Sequence, residues 1–172
     1  MTEAANLIRA KHQAPIRMGM ILGSGLGGMA EELEAATTFP FADLPGFPVS
    51  GVTGHAGALT VGMLKGVSVA ILSGRKHYYE AGVAAAMRIP LETFKALGAE
   101  FAFLTNAAGS TREDMGPGSL MALTDHINFS GRDPLIGLPG DDRFVSMVNA
   151  YDEMLRFRLK FWADEEQITL HE

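Results

Sequence analysis

The sequence contains no cysteine, which excludes a disulfide framework, a thiolate metal site and a cysteine nucleophile. Its apolar runs are short, and none approaches the roughly 20 residues that a membrane-spanning helix requires. Basic residues are also scarce, because 14 Lys and Arg stand against 20 Asp and Glu, a net charge of −6. This acidic balance argues against non-specific nucleic-acid binding as the main role.

The N-terminus lacks a basic flank followed by an apolar core, so no secretory signal is predicted and the cytoplasm is the expected location. A hydrophobic share of 47% over 172 residues is typical of a globular chain long enough to bury a core. We therefore expect one domain over residues 1–172. Residues 167–172 begin to read as a strand with no partner or cap in the chain, which predicts that this domain is incomplete at its C-terminal end.

Glycine, by contrast, is abundant, with 20 residues, and six positions near the N-terminus hold four of them. An apolar strand over 16–22 runs into Gly23-Ser24-Gly25-Leu26-Gly27-Gly28, and a helical pattern follows over 29–33. Bare backbone N–H groups before a helix favour the binding of an anion. A tight turn that binds nothing is the alternative.

The same loop also matches the dinucleotide-binding fingerprint, with Asp43 at the spacing of its acidic residue. That fingerprint needs the acid at the end of a second parallel strand. Asp43 instead lies between Pro40 and Pro45, in a segment, 39–57, that predicts a long ordered loop without a regular element. Dinucleotide binding is therefore the weaker hypothesis.

The other elements follow from periodicity and from turn residues. Residues 2–12 predict a short helix with Leu7 and Ile8 as its apolar contacts, and residues 59–64 and 67–72 predict a hairpin. The remaining predictions are a helix from near Pro90 to a Gly98 cap, a buried-type strand at 100–105, a strand at 119–124, a loop at 129–143 and a helix at 145–162. Together they indicate an α/β fold.

Two further segments at strand ends carry groups suited to anions. Arg75-Lys76-His77-Tyr78-Tyr79-Glu80 follows an apolar strand, and arginine's planar fork suits a phosphate. Asn106-Ala107-Ala108-Gly109-Ser110 follows another such strand with small residues that leave backbone N–H groups bare. One small anion could contact the ends of all three strands. Solvated loops and ordinary turns are the alternatives for each segment alone.

Three isolated residues have two interpretations each. His55, between Gly54 and Gly57, is a donor from a closing loop or a surface histidine. Phe144 is a substrate contact or a loop anchor packed on its own core. His126 reads as a core histidine bonded to Asp125, and we assign it no role.

Taken together, these segments resemble a known family. The glycine loop, Gly54-His55-Ala56-Gly57, Gly74 to Glu80, Thr105 to Gly109 and Asp125-His126-Ile127-Asn128 occur in the order and spacing of the low-molecular-mass, trimeric purine nucleoside phosphorylases. The resemblance implies a twisted mixed β-sheet flanked by helices. It also implies the phosphate-dependent cleavage of purine ribonucleosides to free base and ribose 1-phosphate.

The resemblance further implies roles for individual residues. Phosphate would be held by Ser24, His55, Arg75, His77 and Ala107, with Arg75 and His77 as the catalytic groups. Tyr79 and, from a neighbouring subunit, Phe144 would contact the ribose, while Ala108 and Gly109 would line the base side. The resemblance implies no metal or organic cofactor, and inorganic phosphate is the co-substrate. The implied partners are the purine nucleoside and further copies of the chain in a homotrimer, and neither nucleic acid nor a membrane is implied.

The family's Glu and Asn that assist purine departure, and its His on the ribose 5′-hydroxyl, would lie C-terminal to this sequence. The chain is therefore expected to hold the phosphate half of the site and to lack most of the base half. Two other functions stay open at this point: a nucleotide or dinucleotide-binding domain, and a non-catalytic anion-binding oligomerisation module.

Overall fold

A computed structural model of the protein describes residues 2–23, 25–48 and 57–172. Contacts along the chain divide it into two compact units, Met1–Ala107 and Ala108–Glu172. We call them the first and the second unit and describe each by itself. The single domain expected over residues 1–172 stays a prediction.

The first unit is built on a five-stranded mixed sheet with the order β2-β3-β4-β1-β5. Strand β1 lies between β4 and β5 and is parallel to both, whereas β2, β3 and β4 are successively antiparallel. The elements, in chain order, are α1 (Glu3–Arg9), β1 (Met18–Leu22), β2 (Glu34–Pro40), β3 (Ala58–Leu64), β4 (Val67–Ser73), α2 (Tyr78–Ala81), α3 (Arg88–Leu97) and β5 (Phe101–Leu104).

The hairpin of β3 and β4 is confirmed. Its two turn residues, Lys65 and Gly66, have φ values of 49° and 80°, as a type I′ turn requires. The pairing runs without interruption from Leu64 opposite Val67 to Ala58 opposite Ser73. This turn therefore fixes the register of β4, the strand that leads to Arg75.

Strand β2 was not predicted. It is an edge strand antiparallel to β3, in which Phe39 is buried and most other side chains are exposed. The prediction of no regular element from residue 39 was wrong at its start, because β2 continues to Pro40 and Phe41–Asp43 forms a 3₁₀ turn. Proline is tolerated there because an edge strand has one side without ladder hydrogen bonds.

Helices α1 and α3 cover one face of the sheet. Helix α1 buries Ala4, Ala5 and Ile8, and α3 buries Phe94 and Leu97. The predicted contact through Ile8 is confirmed, whereas Leu7 is 44% exposed because it lies outside the face formed by Ala4, Ala5 and Ile8.

Helix α3 approaches the sheet closely at β1. Gly19 of β1 leaves no room for a side chain, since an added Cβ would lie 2.2 Å from Cδ2 of Phe94. The missing side chain thus lets a large ring pack directly on the strand backbone. On the other face of the sheet, Met20 and Leu22 of β1 pack with Leu33 in a second, smaller cluster.

Strand β5 is confirmed over Phe101–Leu104, but it is not buried. Phe101 and Phe103 are each 37% exposed and Leu104 is 60% exposed. Its apolar composition is typical of an interior strand of a parallel sheet. In this sheet β5 is an edge strand. The apolar composition therefore predicted the strand correctly, but the prediction that its side chains are buried was wrong.

The second unit contains β6 (Leu120–Met121), α4 (Glu153–Glu165) and β7 (Leu170–His171). The strand predicted at 119–124 is thus shorter than expected. The helix predicted at 145–162 begins later, because Asp152 caps its N-terminus by accepting the Leu155 N–H at 2.8 Å. The predicted lack of a partner at the C-terminal end was wrong, since β7 pairs in parallel with β6. In the described part of the chain, no helix has the length and apolar character needed to cross a bilayer.

Candidate functional site

The C-terminal ends of three strands meet at one edge of the sheet. Because β1 is parallel to both neighbours, Leu22 lies opposite Ser73 of β4, and Ile21 lies opposite Leu104 of β5. The segments that follow these strands start with Gly23, Gly74 and Thr105. Ligands of α/β sheets collect at this edge, so the three segments predicted to bind an anion do begin side by side.

Arg75 lies within this group. Its side chain is half-buried, and its guanidinium Nη1 donates a hydrogen bond to the carbonyl oxygen of Thr105. Its Nε donates to Nε2 of His77 at 3.4 Å. These two contacts orient the guanidinium, and neither acceptor is a carboxylate.

His77 is fixed by the short helix that it precedes. Its backbone N–H donates to Oε1 of Glu80 at 2.6 Å, and the left-handed Gly82 (φ 66°) ends α2 one turn later. The imidazole stacks on the ring of Tyr79, with the centroids 5.2 Å apart and the planes within 12°. Tyr79 is 83% exposed, so its outer side is open to a ligand.

Thr105 is a site residue to which the sequence analysis assigned no role. Its hydroxyl accepts the N–H of Gly23 at 2.7 Å and lies 3.4 Å from the carbonyl oxygen of Ile21, to which it donates. The available signal was a threonine at the last position of the strand predicted at 100–105, but nothing in the sequence showed which strand end it would contact.

The glycine loop differs from the prediction in two respects. The N–H of Gly23 is used within the protein and is not available to an anion. The helix expected after the loop is a 3₁₀ helix, Gly27–Glu32, so the α-helical dipole predicted behind the anion is not there. Gly25 (φ 89°) and Gly28 have open space where a side chain would stand, so this part of the loop leaves room for a ligand.

Asp43 does not complete a dinucleotide fingerprint. It ends the 3₁₀ turn Phe41–Asp43. The strand before that turn, β2, is antiparallel to β3 and lies at the far edge of the sheet from β1. The required position at the end of a neighbouring parallel strand is therefore occupied by other residues.

Three predicted phosphate ligands remain to be placed. Ser24 and His55 lie outside the described residues. Ala107 is exposed at the end of the first unit, and its carbonyl oxygen accepts Nδ2 of Asn106 at 3.1 Å. The structure thus brings Arg75 and His77 together among the predicted ligands.

The residues predicted for the ribose and the base sides belong to the second unit, Tyr79 excepted. Ala108 and Gly109 are exposed. Phe144 is 72% exposed, which excludes its interpretation as an anchor buried in its own core. The guanidinium carbon of Arg143 lies 4.9 Å from the centre of the Phe144 ring, so one face of the ring is covered by a cation.

His126 is exposed, which makes its interpretation as a core histidine wrong. Its backbone N–H donates to Oδ1 of Asp125, and its ring Nδ1 is hydrogen-bonded to the hydroxyl of Tyr151 at 3.1 Å. This contact joins residues 25 positions apart and therefore closes the base of the loop over 127–150 that carries Phe144. Polar side chains between two irregular segments gave no signal for such a pairing.

Replacing Tyr151 with phenylalanine is expected to loosen this loop. The lost hydrogen bond predicts about two- to tenfold faster trypsin cleavage after Arg143, the range that one net intramolecular hydrogen bond provides. Cleavage after Lys65, in the β3–β4 turn, is the internal control and should keep its rate. Equal rates after Arg143 in the wild type and the variant would show that the contact does not restrain the loop.

Among the described residues, the pKa values of Arg112 and Asp114, which both belong to the second unit, are shifted. The Arg112 guanidinium donates two hydrogen bonds to Asp114, at 2.9 and 2.6 Å, and lowers the pKa of that carboxyl. The same contact raises the pKa of Arg112. Because the Asp114 pKa is depressed, the pair's stabilising effect is present at neutral pH and is lost as the pH falls through that lowered value. In the described segments, no three His, Asp or Glu side chains gather as metal ligands would.

The mixed sheet and the candidate anion site at its strand ends can now be compared with those of known protein families. The model of the phosphorylase superfamily matches residues 19–172, and the chain belongs to that family. Within it, the chain is similar to purine nucleoside phosphorylase 1 of Geobacillus stearothermophilus, with 43% identity over 174 residues, covering 99% of this chain and 63% of the relative. It is also 45% identical over 155 residues to purine nucleoside phosphorylase 1 of Bacillus subtilis (strain 168), covering 88% and 57% respectively.

Solved structures agree. A purine nucleoside phosphorylase of Schistosoma mansoni, in complex with acetate, superposes with a TM-score of 0.90 at 31% identity, covering 98% of this chain and 65% of that one. Isoform 2 from the same organism, in complex with cytosine and ribose-1-phosphate, gives 0.88 at 33% identity, covering 98% and 62%. These matches confirm the family resemblance predicted from the motifs and the mixed sheet flanked by helices. The chain spans less than two thirds of the length of each of these four relatives.

Proposed function

We propose that this chain provides the phosphate-binding part of a purine nucleoside phosphorylase. The observation that carries the proposal is the placement of Arg75 and His77 at the end of β4, beside the end of β1 and Thr105 after β5. The planar fork of a guanidinium suits the bidentate binding of a phosphate. Relatives solved with ribose-1-phosphate support a phosphorylated product of this kind.

In the proposed reaction, an oxygen of inorganic phosphate bonds to the anomeric carbon of a purine ribonucleoside. The carbon–nitrogen bond to the base breaks, and its electron pair leaves with the purine, which takes up a proton. Positive charge develops on the ribose as the base departs, so a phosphate fixed beside it is both nucleophile and electrostatic partner. Arg75 and His77 would hold that phosphate.

The remaining roles belong to the same proposal. Ser24, His55 and Ala107 would complete the phosphate site, and Tyr79 would face the ribose. Ala108 and Gly109 would line the base side. Phe144 would cover the ribose bound to a neighbouring subunit, and this role requires that the protein form an oligomer, which we propose is a trimer. Inorganic phosphate is the co-substrate, no organic cofactor or metal takes part, and the location is cytoplasmic.

Phosphorolysis is tested by following hypoxanthine release from inosine by the purified chain, with and without inorganic phosphate. Phosphate-dependent release is the expected result for an active phosphorylase. Phosphate binding without release would leave a non-catalytic anion-binding module. Tighter binding of a dinucleotide than of phosphate would contradict the proposal. The antiparallel pairing of β2 already argues against dinucleotide binding.

A further inference from the structure

The inference concerns Thr105, the residue at which the three strand ends are joined. Its N–H donates to the carbonyl oxygen of Ile21 at 3.0 Å, which extends the pairing of β5 with β1 by one residue. Its hydroxyl accepts from Gly23, and its carbonyl oxygen accepts from Arg75. A single residue is thus hydrogen-bonded to β1, to the start of the glycine loop and to the arginine after β4.

The Thr105 hydroxyl both donates and accepts a hydrogen bond. A threonine hydroxyl has one hydrogen to donate and two lone pairs. The hydrogen is directed to the Ile21 carbonyl at 3.4 Å, and one lone pair takes the Gly23 N–H at 2.7 Å. The side chain is therefore hydrogen-bonded both to β1, at Ile21, and to the first residue of the glycine loop.

Close packing keeps these two segments together. A Cβ added to Gly23 would lie 3.3 Å from the Thr105 carbonyl oxygen and 3.5 Å from the Thr105 hydroxyl oxygen. This carbonyl is the one that accepts the Arg75 guanidinium. A displacement of Thr105 would consequently move the glycine loop and Arg75 together.

We propose that Thr105 is a positioning residue for the anion site. Its hydroxyl sets the position of the glycine loop, and its carbonyl sets the direction of the Arg75 guanidinium, so it acts on the anion through these two neighbours. The inference rests on the proposed function, because it presumes that the anion held at this edge is inorganic phosphate. The sequence signal for this role is a hydroxyl residue at the end of the strand predicted at 100–105, immediately before Asn106.

The test is isothermal titration of the full chain with inorganic phosphate. Thr105→Val keeps the shape of the side chain and removes the hydroxyl, and it is expected to weaken phosphate binding about tenfold, the upper part of the range for one net hydrogen bond. Thr105→Ser keeps the hydroxyl and is expected to bind within about twofold of the wild type. In an active preparation, Thr105→Val should raise the KM for phosphate more than the KM for inosine.

Thr60→Val is the matched control. Thr60 is buried in β3 of the same unit, and its hydroxyl is hydrogen-bonded to that of Thr38 at 3.0 Å. Its loss should lower the melting temperature and leave phosphate affinity unchanged, which separates general destabilisation from positioning. If Thr105→Val does not fold, Thr105→Ala takes its place. The inference then predicts that Thr105→Ala binds phosphate about tenfold more weakly than Thr105→Ser, which keeps the hydroxyl.

The outcomes separate the inference from the function. A wild type that binds phosphate and a Thr105→Val variant that binds it equally well would overturn the inference alone. The same holds if Thr105→Ser binds as weakly as Thr105→Val, because the hydroxyl would then not be the responsible group. A wild type that binds no phosphate would overturn both the inference and the proposed phosphate site.

Discussion

Replacing Arg75 with alanine is expected to weaken the binding of inorganic phosphate by about 10- to 150-fold. The reason is that a hydrogen bond to a charged group contributes about 1.5–3 kcal/mol, and Arg75 is the guanidinium oriented at the strand ends. Arg75→Lys should fall between the wild type and Arg75→Ala, because it keeps the charge and loses the planar fork. Isothermal titration with phosphate measures both effects.

Arg17→Ala provides the control for this experiment. Arg17 directly precedes β1, at the opposite end of the same strand, and pairs with Glu100 at 3.0 Å on the surface. Its removal takes away the same charge without touching the candidate site, and exposed pairs contribute little to stability. Phosphate affinity should therefore stay as in the wild type. Equal losses in Arg17→Ala and Arg75→Ala would indicate a non-specific effect of net charge and contradict the assigned site.

Gly19→Ala is expected to lower the free energy of unfolding by about 2–3 kcal/mol, the upper part of the range for overpacked cores. The added Cβ would lie 2.2 Å from Cδ2 and 2.6 Å from Cε2 of Phe94, a ring that is only 3% exposed. Either the ring leaves its position or α3 separates from β1. Urea denaturation followed by circular dichroism gives the change.

Two variants show whether the clash itself is responsible. Gly27→Ala adds a methyl group where no atom lies within 4 Å, so its stability should stay near that of the wild type. In a Phe94→Leu background, Gly19→Ala should cost less than in the wild type, because a smaller side chain leaves room. Equal costs in both backgrounds would mean that the ring contact is not the cause.

The sequence predicted those parts of the fold that depend on local patterns. The Lys65-Gly66 turn, the α3 helix ending at Gly98 and the strand before Gly23 all follow from turn residues and from hydrophobic spacing. Arg75 and His77 were found for a related reason, because polar side chains directly after a buried strand lie where α/β sheets bind ligands. Local signals thus predicted these elements and the position of Arg75 and His77 at a strand end.

The rest depended on contacts between distant segments. Strand β2 is largely exposed and ends in Pro40, so its sequence lacks the apolar run of a buried strand. Phe101 and Phe103 predicted a strand, but burial depends on which other segments cover it. Thr105 and Tyr151 were assigned no role because each has its partners far along the chain, at Gly23 and at His126.

The arrangement of the sheet also bears on the order in which the first unit folds. Strands β3 and β4 are joined by two residues, whereas Gly23 and Thr105 are 82 positions apart. Closing a long loop costs more conformational entropy than closing a short one, and non-local parallel pairing is slow. We therefore expect the hairpin to form early and the strand ends around Arg75 to assemble last. Binding competence would then report that the whole sheet has formed, and a partly folded chain with an intact hairpin would hold no anion.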